Sequence, residues 1–212
     1  MTLAGGVRPL RPPIARLPAL ARGMRVGLYG GSFNPPHDGH RLVAEQALAA
    51  LRLDRLWWIV TPGNPLKNNV NLPSQEERMA ACRALMPDPR VVVTGFEAEI
   101  GARFTCDTIR FLVRRWPGVR FVWIMGADSL AGFHRWQKWR AIARMVPMAV
   151  IDRPGATLKA TTAKAAQVLR KYRIAESDAA ILADRAPPAW VFLYGRRSGL
   201  SSTALRRRQG KG

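Results

Sequence analysis

The chain has 212 residues, 48% hydrophobic and 23% charged, a length and mixture that suit one globular domain and exclude two large ones. Its 34 basic and 14 acidic residues leave a formal net charge of +20, which points to anionic partners: nucleotides, nucleic acid or acidic surfaces. No apolar run reaches the roughly 20 residues of a membrane-spanning helix, and Cys82 and Cys106 form no C-x-x-C pair, which argues against a metal site or a disulfide framework.

Residues 1–23 carry Arg8, Arg11, Arg16 and Arg22 and no acidic residue, a composition found in transit peptides. Pro9, Pro12, Pro13 and Pro18 would break the amphipathic helix that such peptides form. Met24, just before the first strand, is a simpler start, so residues 1–23 are expected to be disordered and dispensable. From there, short apolar runs alternate with helical patterns. Strands are expected over 26–29, 56–60, 90–94, 121–125, 148–151 and 190–194. Helices are expected over 40–51, 74–86, 105–116, 136–145, 161–172 and 202–208. The helix over 74–86 opens on Ser74-Gln75-Glu76-Glu77, a capping box, and that over 105–116 stops at Pro117-Gly118.

Several strands are apolar throughout, as parallel strands covered on both faces are. Strand and helix in alternation predict a doubly wound, mainly parallel α/β sheet with helices on both faces, whose ligands bind beyond the carboxyl ends of the strands. The pattern predicts a single domain over 24–208 with a tail over 209–212, and 178–188 reads as an irregular connection within it.

The loop after the first strand reads Gly30-Gly31-Ser32-Phe33-Asn34-Pro35-Pro36-His37-Asp38-Gly39-His40. Its glycines let the backbone turn sharply toward a ligand, and the following helix directs its positive dipole end into the loop. This segment holds two of the three histidines, His37 and His40, and two imidazoles at such a helix terminus make a phosphate site. Near the carboxyl end, hydroxyl residues start a helix in Leu200-Ser201-Ser202-Thr203-Ala204-Leu205-Arg206, and Arg206 can fork onto phosphate oxygens.

The first loop resembles the H-x-G-H signature of the nucleotidyltransferase superfamily, with Ser32 and Asn34 where Thr and Asp are commoner. The second element matches the I-S-S-T-x-x-R of that superfamily. The lysine-rich K-M-S-K-S loop of class I aminoacyl-tRNA synthetases is absent. Gly126-Ala127-Asp128-Ser129-Leu130, followed by Phe133, Trp136 and Trp139, resembles bacterial nicotinate-nucleotide adenylyltransferases. Phe104-Thr105-x-x-Thr108 and Arg153-Pro154-Gly155 extend that likeness through nearly all of 25–206.

The resemblance implies a Rossmann-like fold that moves an adenylyl group from ATP to nicotinate mononucleotide, with Mg2+ accompanying the ATP. It makes His37, His40 and Arg206 catalytic. Gly30, Gly31, Ser32, Phe33, Ser202 and Thr203 would bind ATP along its phosphates, and Gly126, Asp128 and Arg153 would complete the ATP site. Trp136 would stack on the pyridine, backbone amides near Thr105 and Gln137 would hold its carboxylate, and Asn64 and Lys67 would face the same crevice. The protein would be cytoplasmic, without a specific nucleic-acid or membrane partner, and a homo-oligomer is left open. Two other readings stand beside it: a related enzyme using nicotinamide mononucleotide or pantetheine phosphate, and a basic nucleic-acid-binding module with steep salt dependence.

Overall fold

In the strands, neighbouring side chains alternate between two faces, and here both alternating sets are apolar. The computed structural model describes residues 17–63, 72–152 and 157–194. Among them are the strands Arg25–Gly31 (β1), Arg55–Val60 (β2), Val91–Thr94 (β3), Arg120–Gly126 (β4), Met148–Ile151 (β5) and Trp190–Leu193 (β6). All pairings are parallel, in the order β3-β2-β1-β4-β5-β6. One face carries Trp57, Ile59, Phe121, Trp123, Met148, Val150 and Phe192; the other carries Leu56, Trp58, Val60, Val122, Ile124, Ala149 and Val191. Each needs its own cover, since a parallel sheet bares apolar surface on both sides.

The helices supply that cover. Asp38–Ala50 (α1) and Gln75–Leu85 (α2) bury Val43, Ala47, Leu48, Met79 and Cys82 on the second face. Thr105–Arg115 (α3), Ala127–Gly132 (α4), Trp139–Met145 (α5), Thr157–Thr161 (α6) and Lys164–Val168 (α7) cover the first. The chain works outward from β1 through β2 to β3 and then returns to lay β4 on the opposite side of β1. The order therefore reverses between β1 and β4, the place where such sheets open a crevice at their carboxyl ends.

Three expectations need correction. The helix expected over 136–145 begins only at Trp139, because Lys138 takes a left-handed φ of 53° and Trp136 is extended; a 3-10 turn, Phe133–Arg135, precedes them. The helix expected over 161–172 is broken into α6, α7 and a 3-10 turn. Thr161 and Thr162 turn their hydroxyls back onto the carbonyls of Thr157 and Leu158, and Ala163 is extended. The connection over 178–188 is overlapped by a run of 3-10 turns, Glu176–Asp184, that packs Ala179 and Leu182 against the sheet. The helix expected over 202–208 and the tail lie outside the described residues.

Of residues 1–23, expected to be disordered, 17–23 are described and docked. Leu17 and Leu20 pack on the first-face core, and Gly23 donates its N–H to Gly118 at 2.8 Å. Starting the protein at Met24 removes these two half-buried leucines and uncovers the core surface beneath them, a loss of about 1–2 kcal/mol. Calorimetry should therefore give a Tm several degrees below that of a protein retaining 17–23; an unchanged Tm would show these contacts to be idle.

Candidate active site

The carboxyl end of β1 passes directly into the loop that precedes α1, and two histidines fix that junction. His37 is the N-cap of α1, so the helix begins at Asp38, two residues before the expected start. His37 Nδ1 accepts the Gly39 N–H at 3.1 Å, and His40 Nδ1 accepts the His37 N–H at 3.2 Å. Imidazoles thus form both halves of a capping box that Ser and Glu more often build. An imidazole that accepts at Nδ1 carries its proton on Nε2, so each ring retains one N–H donor in a fixed tautomer. The rings lie 3.9 Å apart between centroids and are 4% and 8% exposed.

Between β1 and that cap the loop is under strain. Phe33 has a φ of 46°, a left-handed conformation costly to a residue with a Cβ. It is held there by its ring, which is buried and stacks on Trp58 of β2 at 5.0 Å and 9°. From the other side, Arg78 of α2 donates to the Ser32 carbonyl at 2.7 Å. Sequence reasoning passed over Arg78 because it follows the acidic run of a capping box and looks like a solvated charge. The available signal was its place on the buried face, four residues before Cys82 and beside Met79.

Across the strand-order reversal, β4 ends at Gly126 and α4 begins, with exposed Asp128 in its first turn. Tyr29 pairs with Ile124, so Gly31 and Gly126 follow two residues later on adjacent strands. Trp123 of β4 leans over Gly30: a Cβ there would sit 2.6 Å from the indole edge, so only glycine fits. The same indole meets Trp136 edge to face at 6.2 Å, which links the β1 loop to the aromatic cluster after α4. Within that cluster Phe133 and Trp139 are buried, and Trp136 is half-buried. The extended backbone at Trp136 and the turn at Lys138 take this indole out of the helix face. Gln137 beside it is exposed.

Half-buried Thr105 starts α3, whose N-cap, Phe104, offers no side-chain acceptor to the first-turn amides. Such an end suits an anion. The structure thus brings together Gly30, Gly31, Ser32, Phe33, His37 and His40, with Gly126 and Asp128 at the adjoining strand end. Trp136 is joined to them through Trp123, and exposed Gln137 follows it in the chain. Asn64, Lys67, Arg153, Ser202, Thr203 and Arg206 lie outside the described residues. Among the described residues no group of three His, Cys, Asp or Glu side chains could hold a metal ion. No described helix is long and apolar enough to cross a membrane.

A parallel sheet reversing at β1/β4, with a helix amino terminus and paired imidazoles at that point, defines a nucleotide-handling α/β protein of the H-x-G-H kind. A family model described as cytidylyltransferase-like matches residues 28–208. The probable nicotinate-nucleotide adenylyltransferase of Methylorubrum extorquens is 61% identical over 185 residues, 87% of this chain and 100% of the relative. That of Bradyrhizobium sp. (strain ORS 278) is 57% identical over 187 residues, 88% and 97% of the two chains. The nicotinic acid mononucleotide adenylyltransferase of Plasmodium falciparum, solved in complex with NaAD, superposes with a TM-score of 0.66 at 14% identity. That match covers 87% of this chain and 83% of the other, and it bears on the fold alone. The chain belongs to the cytidylyltransferase-like family and, within it, to the nicotinate-nucleotide adenylyltransferases.

Next to α3, the 3-10 turn Phe96–Ala98 places Glu97 in the interior, 7% exposed, where Thr108 of α3 donates to its Oε1 at 2.5 Å. Burial pushes this carboxyl up to about 7, against the opposing effect of the Thr108 hydrogen bond. The native state therefore favours the protonated acid more than the unfolded chain does. Its contribution is complete below the ordinary value of 4.5 and is lost as the pH rises through about 7. The loss amounts to roughly 3 kcal/mol. Glu97→Gln, neutral at every pH, should melt above the wild type at pH 8 and level with it at pH 4. Parallel melting curves for the two proteins across that range would contradict this.

Proposed function

We propose that this protein transfers the adenylyl group of ATP to nicotinate mononucleotide, giving nicotinate adenine dinucleotide and pyrophosphate in NAD biosynthesis. The observation that carries the proposal is the pair of Nδ1-anchored imidazoles at the strand-order reversal, joined through Trp123 to the half-exposed indole of Trp136. Relatives 54–61% identical carry the name of that activity.

A 5′-phosphate oxygen of the mononucleotide attacks the α-phosphorus of ATP. The new P–O bond forms as the bond to the β-phosphate oxygen breaks, and its electron pair leaves with pyrophosphate. The nucleophile is already anionic near neutral pH, so no general base is needed. What the chain provides is alignment and stabilisation of charge. His37 and His40 each present an Nε2–H as a neutral donor to phosphate oxygens, beside the amino end of α1. Gly30, Gly31, Ser32 and Phe33 bring backbone close to the triphosphate. Gly126, Asp128 and Arg153 serve the adenosine side, and Ser202, Thr203 and Arg206 hold the departing end.

Trp136 stacks on the pyridine, and amides near Thr105 and Gln137 hold its carboxylate, which backbone donors suit better than a carboxamide. Asn64 and Lys67 are assigned to the mononucleotide side of the reaction. With both Nδ1 atoms already engaged, the imidazoles make no magnesium cage. A Mg2+ ion carried in with ATP would take few ligands from the chain, in keeping with the lack of a three-residue His, Cys, Asp or Glu cluster among the described residues. Bound with the ATP, it would neutralise phosphate charge. The reading assigns the protein to the cytoplasm, requires no nucleic acid, and makes no demand for a homo-oligomer.

Purified protein given ATP with nicotinate mononucleotide, nicotinamide mononucleotide or pantetheine phosphate should release pyrophosphate fastest with the first. Preference for either of the others would sink the assignment of substrate. His40→Ala should lower kcat by about 10²–10³-fold with its melting transition retained; near-normal turnover would remove the imidazole from the chemistry. Trp136→Ala should raise the KM for nicotinate mononucleotide by about 10–100-fold and leave that for ATP within a few-fold, as loss of one aromatic stack predicts. A matched rise in both constants would place that indole elsewhere.

A further inference from the structure

Arg78 is 3% exposed, and among the described residues no carboxylate pairs with it. Its guanidinium is instead solvated by main-chain carbonyls. Nε donates to Pro73 at 3.0 Å, Nη1 to Ser32 at 2.7 Å and Thr61 at 2.9 Å, and Nη2 to Pro62 at 3.2 Å. These oxygens come from three segments: the loop after β1, the turn after β2 and the entry to α2. Burial pulls the Arg78 pKa down, yet a guanidinium remains protonated at neutral pH. A buried, uncompensated cation is costly, and four carbonyls satisfy its donors without cancelling its charge.

The peptide joining Ser32 to Phe33 is trans, so its C=O and N–H point in opposite directions. Drawing the Ser32 oxygen onto Arg78 therefore turns the Phe33 N–H to the far side of the loop. There it meets no backbone acceptor among the described residues. Phe33 is also the residue held at a φ of 46°, a conformation that lasts only where its surroundings over-determine it.

We infer that Arg78 is a positioning residue for the triphosphate: it sets the Ser32–Phe33 peptide so that its N–H faces a phosphate oxygen, and it supplies the buried positive charge behind that peptide. The inference rests on the adenylyl-transfer reading. Arg78 touches no substrate itself and acts through the loop.

Arg78→Gln keeps some donors and removes the charge, and Arg78→Lys keeps the charge with three donors that cannot reach all four carbonyls. Steady-state kinetics on the full chain, varying each substrate in turn, should show kcat/KM for ATP falling about 10²-fold in Arg78→Gln. The fall should be smaller in Arg78→Lys, and the KM for nicotinate mononucleotide should stay within about threefold of wild type in both. Melting curves of the variants with and without ATP supply the second readout: ATP should raise the Tm of the wild type more than that of either variant. Unchanged kinetics, equal damage toward both substrates, or failure of even the lysine variant to fold would assign Arg78 to structure alone and overturn the inference. A wild type that transfers no adenylyl group would instead sink the functional reading on which it rests.

Discussion

The parallel sheet has two apolar faces, and neither can be left to water. Covering both requires helices on both, and with right-handed crossovers the chain must change direction part-way through the sheet. Here it does so between β1 and β4, where strands added later lie on the opposite side of β1 from β2 and β3. Helices leaving the two neighbouring strands then diverge to opposite faces, α1 to one and α4 to the other. The crevice between them is a consequence of hydrophobic cover rather than an addition to it. Its position decides which residues can do chemistry, because only the loops at the carboxyl ends of the strands reach it.

On the adenylyl-transfer reading, the same interactions at that crevice serve stability and reactivity. A helix amino terminus needs acceptors for its first amides, and Ser or Asp would meet that need at lower cost in volume. Two imidazoles meet it here, and each keeps its Nε2–H outside the cap by geometry. The tautomer is thereby set by folding. A serine cap would satisfy the helix and leave a freely rotating hydroxyl in place of two fixed donors. The strained backbone at Phe33 follows the same logic, since it is tolerated because Trp58 and Arg78 grip the loop from two sides.

How much of this could be read from the sequence depended on how local its cause was. Strands such as Met148–Ile151 declared themselves as short apolar runs, and the capping box at Ser74 and Glu77 marked α2 to within a residue. The β1 loop was legible because glycines and histidines at that spacing have few other uses. The helix expected over 136–145 was placed three residues too early, since a spacing of three between Trp136 and Trp139 fits an α-helix and a 3-10 turn alike. The left-handed φ of Lys138, which separates the two, has no mark in a lysine's own preferences. Arg78 and Glu97 were missed for a related reason. Their burial depends on segments that are distant in the chain; the one local mark of Arg78, a helix face shared with Cys82, is masked by the acidic run before it, and Glu97 sits in a short turn with no periodicity to read.

The large positive charge of the chain then has a narrower effect than its size suggests. Exposed arginines such as Arg114, Arg115, Arg140 and Arg144 act over about one Debye length, roughly 8–10 Å at ordinary salt, so they can gather anions but cannot align them. On the adenylyl-transfer reading, alignment falls to few groups: two imidazole N–H donors, the amide end of α1, Arg206 at the departing end, and the buried guanidinium of Arg78 behind the loop. A donor that is fixed and uncharged binds the ground-state triphosphate less tightly than an ammonium in the same place would. It gains most where charge accumulates between the α- and β-phosphates as the bond breaks, and differential binding of that kind is what accelerates a reaction. A site lined with free lysines would hold both ATP and pyrophosphate more firmly and release its product more slowly. On the adenylyl-transfer reading, neutral imidazoles with the Arg78 charge one layer behind them leave Arg206 as the cation set on the departing pyrophosphate.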